Sequence, residues 1–156
     1  MGQKIDESVS ISGVILTELD QFCDEKGKVL HALKSSDPEF RGFGEAYLSF
    51  VNKNKTKGWK KHNNMTLNIV VPIGEILFVI YDDRVDSDSY NAFQQIKLSR
   101  KNYKRLTVPN NLWVAFMGIG DGENLLLNVA DLTHDPAESE NLTLDAINYN
   151  WELAKK

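Results

Sequence analysis

Two apolar segments joined by a Pro-Ile-Gly step constrain the fold of this chain more than any other feature. They read "MTLNIVV" and "GEILFVIYDD", with Pro72 and Gly74 between them. Both segments are short, apolar and rich in β-branched residues, which favours two strong strands. A Pro-x-Gly step between two strands forms a hairpin or a tight corner. The pair therefore predicts a β-rich fold.

Strand patterns of similar length follow one another along most of the chain. The further segments are "SGVILTEL", "GKVLHALK", "EAYLSFV", "AFQQIKLS", "YKRLTVP", "LWVAFMGIG" and "NLLLNVAD". About nine or ten short strands broken by Gly, Pro, Asn and Asp predict an all-β sandwich or barrel. Helix is scarce: "SSDPEFRGFG" has room for one short turn, and "LTLDAINYNWELAKK" is interpreted as a polar closing segment.

Length and composition fit a single domain. The 156 residues are 42% hydrophobic and 26% charged, which is the balance of a globular protein. The sequence has no evident internal repeat or linker, so we expect one domain over residues 1–156. Its polar start, residues 1–10, is expected to be flexible.

Charge and cysteine content narrow the range of partners. The net charge of −4 argues against nucleic acid, so any anion must bind at a local patch. No apolar run approaches the length of a membrane span, about 20 residues, and the polar N-terminus lacks the apolar core of a signal peptide. The single Cys23 cannot form an internal disulfide, which fits the cytoplasm.

Five segments taken together resemble a known family. They are "CDEKGKV", "KGWKKHNNMTLN", "GEILFVIYDDR", "LSRKNYKRLTVPNNLWVAFMGIG" and "VADLTHDP". Their order and approximate spacing, from near Gly13 to near Trp151, resemble the dTDP-4-dehydrorhamnose 3,5-epimerase-like family. The resemblance implies a cupin-type jelly-roll β-sandwich and a homodimer.

The resemblance also implies a reaction. Members of this family act on a 4-keto-6-deoxy sugar linked to a nucleoside diphosphate. A base with a pKa near the working pH removes a proton next to the carbonyl, and an acid returns a proton on the opposite face. Donors aimed at the enolate oxygen and cations for the diphosphate complete such a site. Neither a metal nor a redox cofactor is implied.

The chain departs from the family pattern at three positions. Lys60 stands where the base His of "R-G-L-H-Y-Q" is found, Val114 replaces the His of "P-P-G-F-A-H-G-F", and Leu127 aligns with the acid Tyr. The chain is more similar to a divergent branch that reads "K-G-W-H-x-H" and "W-N-G-F-x-G-I-G", yet it differs from that branch at Lys60 and Val114. The resemblance therefore does not carry the whole mechanism over.

His62 and Lys60 are the predicted catalytic residues. Two residues apart on a strand, they point to the same face. An imidazole of ordinary pKa suits proton abstraction at neutral pH, and the alternative is a histidine hydrogen-bonded on a barrel wall. Lys60 is interpreted as a cation for the sugar or its phosphates, since a lysine base would need a pKa lowered by several units. The alternative for Lys60 is a solvated strand end.

Further residues are predicted to bind the substrate: Lys57, Trp59, Thr66, Asn68, Arg84 and Trp113. Lys57 and Arg84 are phosphate candidates, and a strand-end salt bridge is the alternative for Arg84. Thr66 and Asn68 share a face with Lys60 if the strand is regular from residue 60 onward. The two tryptophans line the pocket or stack on the nucleotide base, although a large aromatic residue more often belongs to the core.

The two other histidines and a metal site are disfavoured. His134 precedes Asp135 and Pro136, which is typical of a turn, and His31 lies on an early strand. A cupin metal site needs an H-x-H pair, a carboxylate and a distant His. Here Lys60 occupies a ligand position, and an ammonium repels a divalent cation. We therefore predict no metal.

Three functions remain open. The first is an epimerase or ketoisomerase that acts on a nucleoside-diphosphate-linked 4-keto-6-deoxy sugar. The second is a non-catalytic cupin that binds sugar nucleotides, which the replaced His and the missing Tyr favour. The third is a jelly-roll scaffold that binds a protein partner. Nucleotide binding and deuterium exchange from solvent distinguish the three.

Overall fold

The computed structural model describes residues 10–155 and shows an all-β architecture. The strands are β1 (Ile15–Glu18), β2 (Gln21–Asp24), β3 (Gly27–Leu30), β4 (Glu45–Phe50), β5 (Thr56–His62), β6 (Leu67–Ile73), β7 (Glu75–Tyr81), β8 (Phe93–Ser99), β9 (Lys104–Val108), β10 (Trp113–Gly118), β11 (Leu125–Ala130) and β12 (Ser139–Asn141). Short 3₁₀-helices occupy Pro136–Glu138, Leu144–Ala146 and Trp151–Ala154. None of the helices in this range is long and apolar enough to cross a membrane. The segment expected to be flexible, residues 1–10, lies outside the described residues except for residue 10.

Two five-stranded antiparallel sheets pack against each other. The first has the strand order β1-β9-β6-β11-β4 and the second β12-β5-β10-β7-β8, while β2 and β3 form a separate hairpin. This arrangement confirms the predicted all-β jelly-roll class. β2, β5 and β12 lie outside the nine segments interpreted as strands. β2 and β12 have only four and three residues, which is too short to show a readable alternation.

The Pro-Ile-Gly step is a corner between the two sheets. β6 belongs to the first sheet and β7 to the second, so the chain changes sheets at Gly74. Gly74 has a φ of +76°, in the left-handed region, and a Cβ there would lie 2.3 Å from the carbonyl oxygen of Glu123. Glycine permits both the turn and this close approach. Of the two alternatives for this step, the structure therefore selects the corner.

Both faces of the second sheet are buried. On β7, Phe78 joins the core between the sheets, while its neighbour Leu77 joins a second cluster on the outer face. The C-terminal segment covers that outer face with Ile147 and Trp151. The interpretation of this segment as merely polar is therefore wrong. Burial on two sides also explains why β7 is an unbroken apolar run.

The outer face of the first sheet is only partly covered. The segment between β3 and β4 is held against β9 by Arg105, which donates hydrogen bonds to Asp37 and Glu39, both at 3.0 Å. Beyond this cover, Leu48 is 60% exposed, Phe50 50% and Ile73 47%. These three residues, which we call the apolar patch, lie on neighbouring parts of β4 and β6 flanking β11.

Candidate active site

A cleft of about 290 Å³ opens between the two sheets. Its walls come mainly from β4, β6 and β11 on one side and from β5 and β10 on the other. The ionisable side chains that line it are Tyr47, Lys57, Lys60 and His62, and no carboxylate lies among its described lining residues. An apolar cleft with a few convergent polar groups is the usual form of a small-molecule site.

β5 directs three basic side chains into this cleft, Lys57, Lys60 and His62. Lys60 and His62 both line it, in agreement with their two-residue spacing. Lys61, between them, points to the outer face of the sheet, where its Nζ lies 3.2 Å from a carboxylate oxygen of Asp83. Lys60 is opposite Val114 of β10, so a valine stands beside it.

His62 has a carboxylate partner behind the cleft wall. Its Nδ1 is hydrogen-bonded to Oε1 of Glu138, which is only 8% exposed. The second oxygen of Glu138 accepts hydrogen bonds from the backbone N–H groups of Asn64 at 3.0 Å and Met65 at 3.2 Å. Burial acts to raise the pKa of Glu138, but the hydrogen bonds from His62 and the two N–H groups outweigh it and lower the pKa. Glu138 is therefore ionised at neutral pH.

The carboxylate determines which nitrogen of His62 is available. An ionised carboxylate only accepts hydrogen bonds, so Nδ1 carries the hydrogen that it donates to Glu138. Nε2 is then the unprotonated nitrogen of the neutral ring and is able to accept a proton from a molecule in the cleft. The His62–Glu138 pair thus has the form of an oriented general base.

Sequence reasoning missed Glu138. The residue lies in the 3₁₀-helix that precedes β12, 76 positions from His62. The acid next to His134 in the sequence is Asp135. Asp135 instead caps the 3₁₀-helix by accepting a hydrogen bond of 2.9 Å from the N–H of Ala137. No local pattern connects Glu138 to His62, because their contact depends on the pairing of β12 with β5.

The two lysines of the cleft are positioned differently. Nζ of Lys57 donates a hydrogen bond to the backbone oxygen of Phe50 at 2.6 Å and lies 3.1 Å from Oγ of Ser49. These two contacts link the side chain of Lys57 on β5 to β4. Lys60 forms no ion pair with a described residue. Neither ammonium is neutralised by a carboxylate in the cleft, so the cleft favours an anionic ligand.

Thr66 and Asn68 do not join this group, and the prediction that they share a face with Lys60 is wrong. β5 ends at His62 and β6 begins at Leu67 in the other sheet, so the strand is not regular across this stretch. Asn68 points away from the cleft, where its Oδ1 accepts a hydrogen bond of 2.6 Å from Thr107. The N–H of Thr66 donates to Asp131 at 2.8 Å, and Thr66 does not line the cleft.

Both tryptophans direct their indole rings to the outer face of the second sheet. Trp59 is fully buried and is one of the residues that border the cleft. Its indole ring packs against the ring of Trp151, with a distance of 5.7 Å between the ring centroids. Trp113 donates its Nε1–H to Asp83 at 2.9 Å on the same outer face, under the ammonium of Lys61. The two rings therefore belong to the core, which is the alternative for both; Trp59 still borders the cleft, whereas Trp113 is not among its described lining residues.

Arg84 lies outside the cleft and forms a strand-end salt bridge. Its Nε and Nη2 donate to the two carboxylate oxygens of Asp82 at 2.8 and 2.9 Å. Asp82 is fully buried, and it also accepts hydrogen bonds from the hydroxyls of Ser87 and Ser89 at 2.7 and 2.6 Å. Burial opposes these bonds, yet they hold the pKa of Asp82 well below its usual range. Arg84 therefore forms the strand-end salt bridge that is the alternative to a phosphate role, and it is not among the described residues that line the cleft.

Leu127 is not the residue of β11 that faces the cleft. Leu126 lines the cleft, and Asn128 lies on the same face of the strand. Leu127 points to the opposite face, across from Leu48. The side chain at the position that aligns with the acid tyrosine, Leu127, therefore faces away from the cleft. Within residues 10–155 no group of three or more His, Cys, Asp or Glu side chains is arranged to hold a metal.

Comparisons with known proteins agree on one family. The family profile described as dTDP-4-dehydrorhamnose 3,5-epimerase matches residues 8–156. A dTDP sugar isomerase from Desulfovibrio desulfuricans G20, known from its crystal structure, is 39% identical with a TM-score of 0.88, and the match covers 91% of this chain and 92% of that one. The probable low-salt glycan biosynthesis epimerase Agl13 of Haloferax volcanii is 27% identical over 128 residues, 81% of this chain and 82% of that protein.

A more distant structure shares the fold. The dTDP-4-dehydrorhamnose 3,5-epimerase from Sulfolobus tokodaii is 21% identical, with a TM-score of 0.77 over 88% of this chain and 81% of that one. Together the comparisons confirm the predicted resemblance and the interpretation of the chain as an enzyme of the nucleotide-sugar epimerase and isomerase class. The chain belongs to the dTDP-4-dehydrorhamnose 3,5-epimerase family.

Proposed function

We propose that this protein epimerises or isomerises a dTDP-linked 4-keto-6-deoxy sugar by moving a proton on a carbon next to the carbonyl. The observation that carries the proposal is the His62–Glu138 pair at a cleft lined by two lysines and by no carboxylate of the described residues. The name of the Desulfovibrio relative, a dTDP sugar isomerase, supports the same substrate class.

His62 is the proton-transfer group. A ketone acidifies the hydrogens on its neighbouring carbons, and Nε2 of His62 removes one of them while Glu138 stabilises the imidazolium that forms. The electron pair of the broken C–H bond moves into an enolate. The reaction needs no change of oxidation state overall, so a redox cofactor has no role in it.

The two lysines have separate roles. Lys60, one pleat from His62, supplies its ammonium to the developing enolate oxygen, where a preorganised charge stabilises the transition state. Lys57 lies further along β5 and binds the diphosphate as a point charge. Both roles agree with the absence of a carboxylate among the described lining residues, since a neighbouring anion would weaken each contact.

The proposal is tested by NMR in D₂O with dTDP-4-keto-6-deoxyglucose. We expect the wild-type protein to introduce deuterium at carbons next to the keto group and to convert the sugar into an epimer or keto isomer. We expect His62→Ala to abolish both the exchange and the conversion. His31→Ala should retain both, because His31 follows β3 and is not among the described residues that line the cleft. Equal exchange with His62→Ala and wild type would overturn the assignment of the base. Binding of dTDP without any exchange would favour the non-catalytic alternative.

The proposal extends to a homodimer in the cytoplasm. The apolar patch of Leu48, Phe50 and Ile73 lies on the partly uncovered first sheet, and covering it with a second copy would remove three large apolar side chains from water. The single Cys23 is exposed and unpaired, which suits a reducing compartment.

A further inference from the structure

Inversion of a carbon requires proton transfer on both faces of the substrate. His62, Lys60 and Lys57 all project from β5, so they approach a sugar in the cleft from the second sheet. The proton that completes the inversion arrives from the opposite side of the cleft, which the first sheet lines. Among the described residues that line the cleft, that sheet contributes two side chains with an O–H group, Tyr47 and Ser49.

Tyr47 is the stronger candidate of the two. The hydroxyl of Ser49 is held by Nζ of Lys57 at 3.1 Å. An aliphatic hydroxyl is also a far weaker acid than a phenol, whose ordinary pKa is about 10. Tyr47 projects from the edge strand β4 into the cleft and is partly exposed there. No histidine or lysine of the described lining residues lies on its sheet.

Asn128 provides an independent observation at the same place. It is fully buried and sits directly opposite Tyr47 on β11, with the cleft-lining Ile69 on its other side. Neither Oδ1 nor Nδ2 of Asn128 makes a hydrogen bond of normal geometry with any described residue. A buried amide without partners costs about 1–3 kcal/mol, so the side chain of Asn128 is available to hydrogen-bond a polar group at the cleft.

We infer that Tyr47 is the acid that returns the proton to the face opposite His62, and that Asn128 is its positioning residue. The inference rests on the proposed function. The proposed acid projects from β4, which pairs with β11, the strand on which Leu127 aligns with the family tyrosine.

The proposed transfer uses one proton acceptor and one proton donor. His62 takes a proton from the carbon, and the C–H electron pair enters the enolate. The enolate then forms a new C–H bond on its other face with the proton of the Tyr47 hydroxyl, which becomes a phenolate. An N–H of Asn128 stabilises that phenolate, and water later returns a proton to it while the imidazolium of His62 releases one.

The electrostatic environment agrees with this assignment. Burial raises the pKa of the Tyr47 phenol, while the side chain of Asn128 acts to lower it and the nearby Glu45 acts to raise it. The overall direction is upward, so Tyr47 keeps its proton at neutral pH, as a donor must. Asn128 offsets part of the penalty when the proton leaves.

Tyr47→Phe separates exchange from inversion. In D₂O with dTDP-4-keto-6-deoxyglucose, this variant should still introduce deuterium, because His62 is unchanged and returns a deuteron to the face from which it removed the proton. Formation of the inverted sugar should fall by about 10² to 10⁴, the usual contribution of a general acid. Tyr90→Phe is the matched control, since Tyr90 is also partly exposed but lies outside the cleft. Thermal unfolding checks that both variants are folded.

The outcomes are distinct. Inversion by Tyr47→Phe at the wild-type rate would overturn the inference and leave the proposed function standing. Loss of inversion and exchange together would also overturn it, because a residue needed for both is not specific to the second face. A wild-type protein without any exchange would overturn the proposed function and the inference with it.

Asn128→Leu tests the positioning role. Leucine has a similar volume but no N–H, so the pKa of Tyr47 should rise and inversion should fall more than exchange. The pKa is followed by NMR of ¹³C-labelled tyrosine, with the Tyr47→Phe spectrum assigning the signal among the five tyrosines. An unchanged Tyr47 pKa together with an unchanged ratio of inversion to exchange would overturn the role of Asn128.

Discussion

His62 and Glu138 are hydrogen-bonded to each other although 76 positions separate them. Their contact follows from the pairing of β12 with β5, in which Ser139, the residue after Glu138, is opposite His62. β12 is only three residues long, yet it closes the edge of the second sheet beside the cleft. A short edge strand thus gives the histidine its carboxylate.

Glu138→Gln should impair proton transfer more than folding. A glutamine whose oxygen stays on the N–H groups of Asn64 and Met65 directs its NH₂ towards Nδ1 of His62. The ring then carries its hydrogen on Nε2 and no longer accepts a proton from the substrate. We expect deuterium exchange to slow by about 10² to 10⁴.

The control for this variant is Glu140→Gln, on the same short strand, where Glu140 is exposed and lies 3.8 Å from Lys61 on the outer face. We expect it to exchange deuterium at the wild-type rate. Exchange by Glu138→Gln within a few-fold of the wild type would contradict the tautomer argument.

Lys60→Gln should lower turnover through loss of the charge at the enolate oxygen. Removal of one donor at such an oxygen costs about 10² to 10³ in kcat. Steady-state kinetics with dTDP-4-keto-6-deoxyglucose measures the effect. Lys61→Gln is the control, because Lys61 is the next residue but faces outward. If the two variants lose activity equally, Lys60 has no specific role.

Asp82→Asn should destabilise the fold without weakening the binding of dTDP. It removes the buried carboxylate that accepts hydrogen bonds from Arg84, Ser87 and Ser89, and we expect a loss of about 3 kcal/mol in the free energy of unfolding at pH 7. The exposed Asp88 supplies a control in Asp88→Asn. Urea unfolding and calorimetry with dTDP measure the two quantities.

The loss of stability in Asp82→Asn should depend on pH. The pKa of Asp82 is lowered in the folded state from its ordinary value of 3.8. Its contribution is therefore complete above that value and is lost as the pH falls towards the lower, folded pKa. The difference between wild type and Asp82→Asn should narrow as the pH falls below 3.8. A constant difference would show that ionisation of Asp82 does not contribute.

Leu48→Lys should weaken self-association. The substitution places a charge in the apolar patch, where a second copy of the chain would have to desolvate it. Sedimentation velocity should show a dimer for the wild type and a shift towards monomer for the variant. Val85→Lys, at an exposed apolar residue away from the patch, should remain dimeric. A monomeric wild-type protein would refute the homodimer.

The correctly predicted parts of this protein depend on local periodicity. The segments on either side of Gly74 are strands, and Lys60 and His62 share a face, because side chains on a strand alternate with a period of two. The prediction for Asn68 fails because β5 ends at His62 and the chain enters the other sheet. Leu127 does not face the cleft because the alternation of β11 directs Leu126 and Asn128 to that side.

Local pattern and family resemblance thus establish most of the strands, the fold class, the reaction class and the shared face of Lys60 and His62. Only the tertiary structure decides which groups meet those residues. Strand pairing joins Glu138 to His62, and sheet packing directs Tyr47 and Asn128 towards the cleft while it turns Trp59 and Arg84 away from it. These contacts connect residues far apart in the chain, and the register of paired strands is a property of the whole fold.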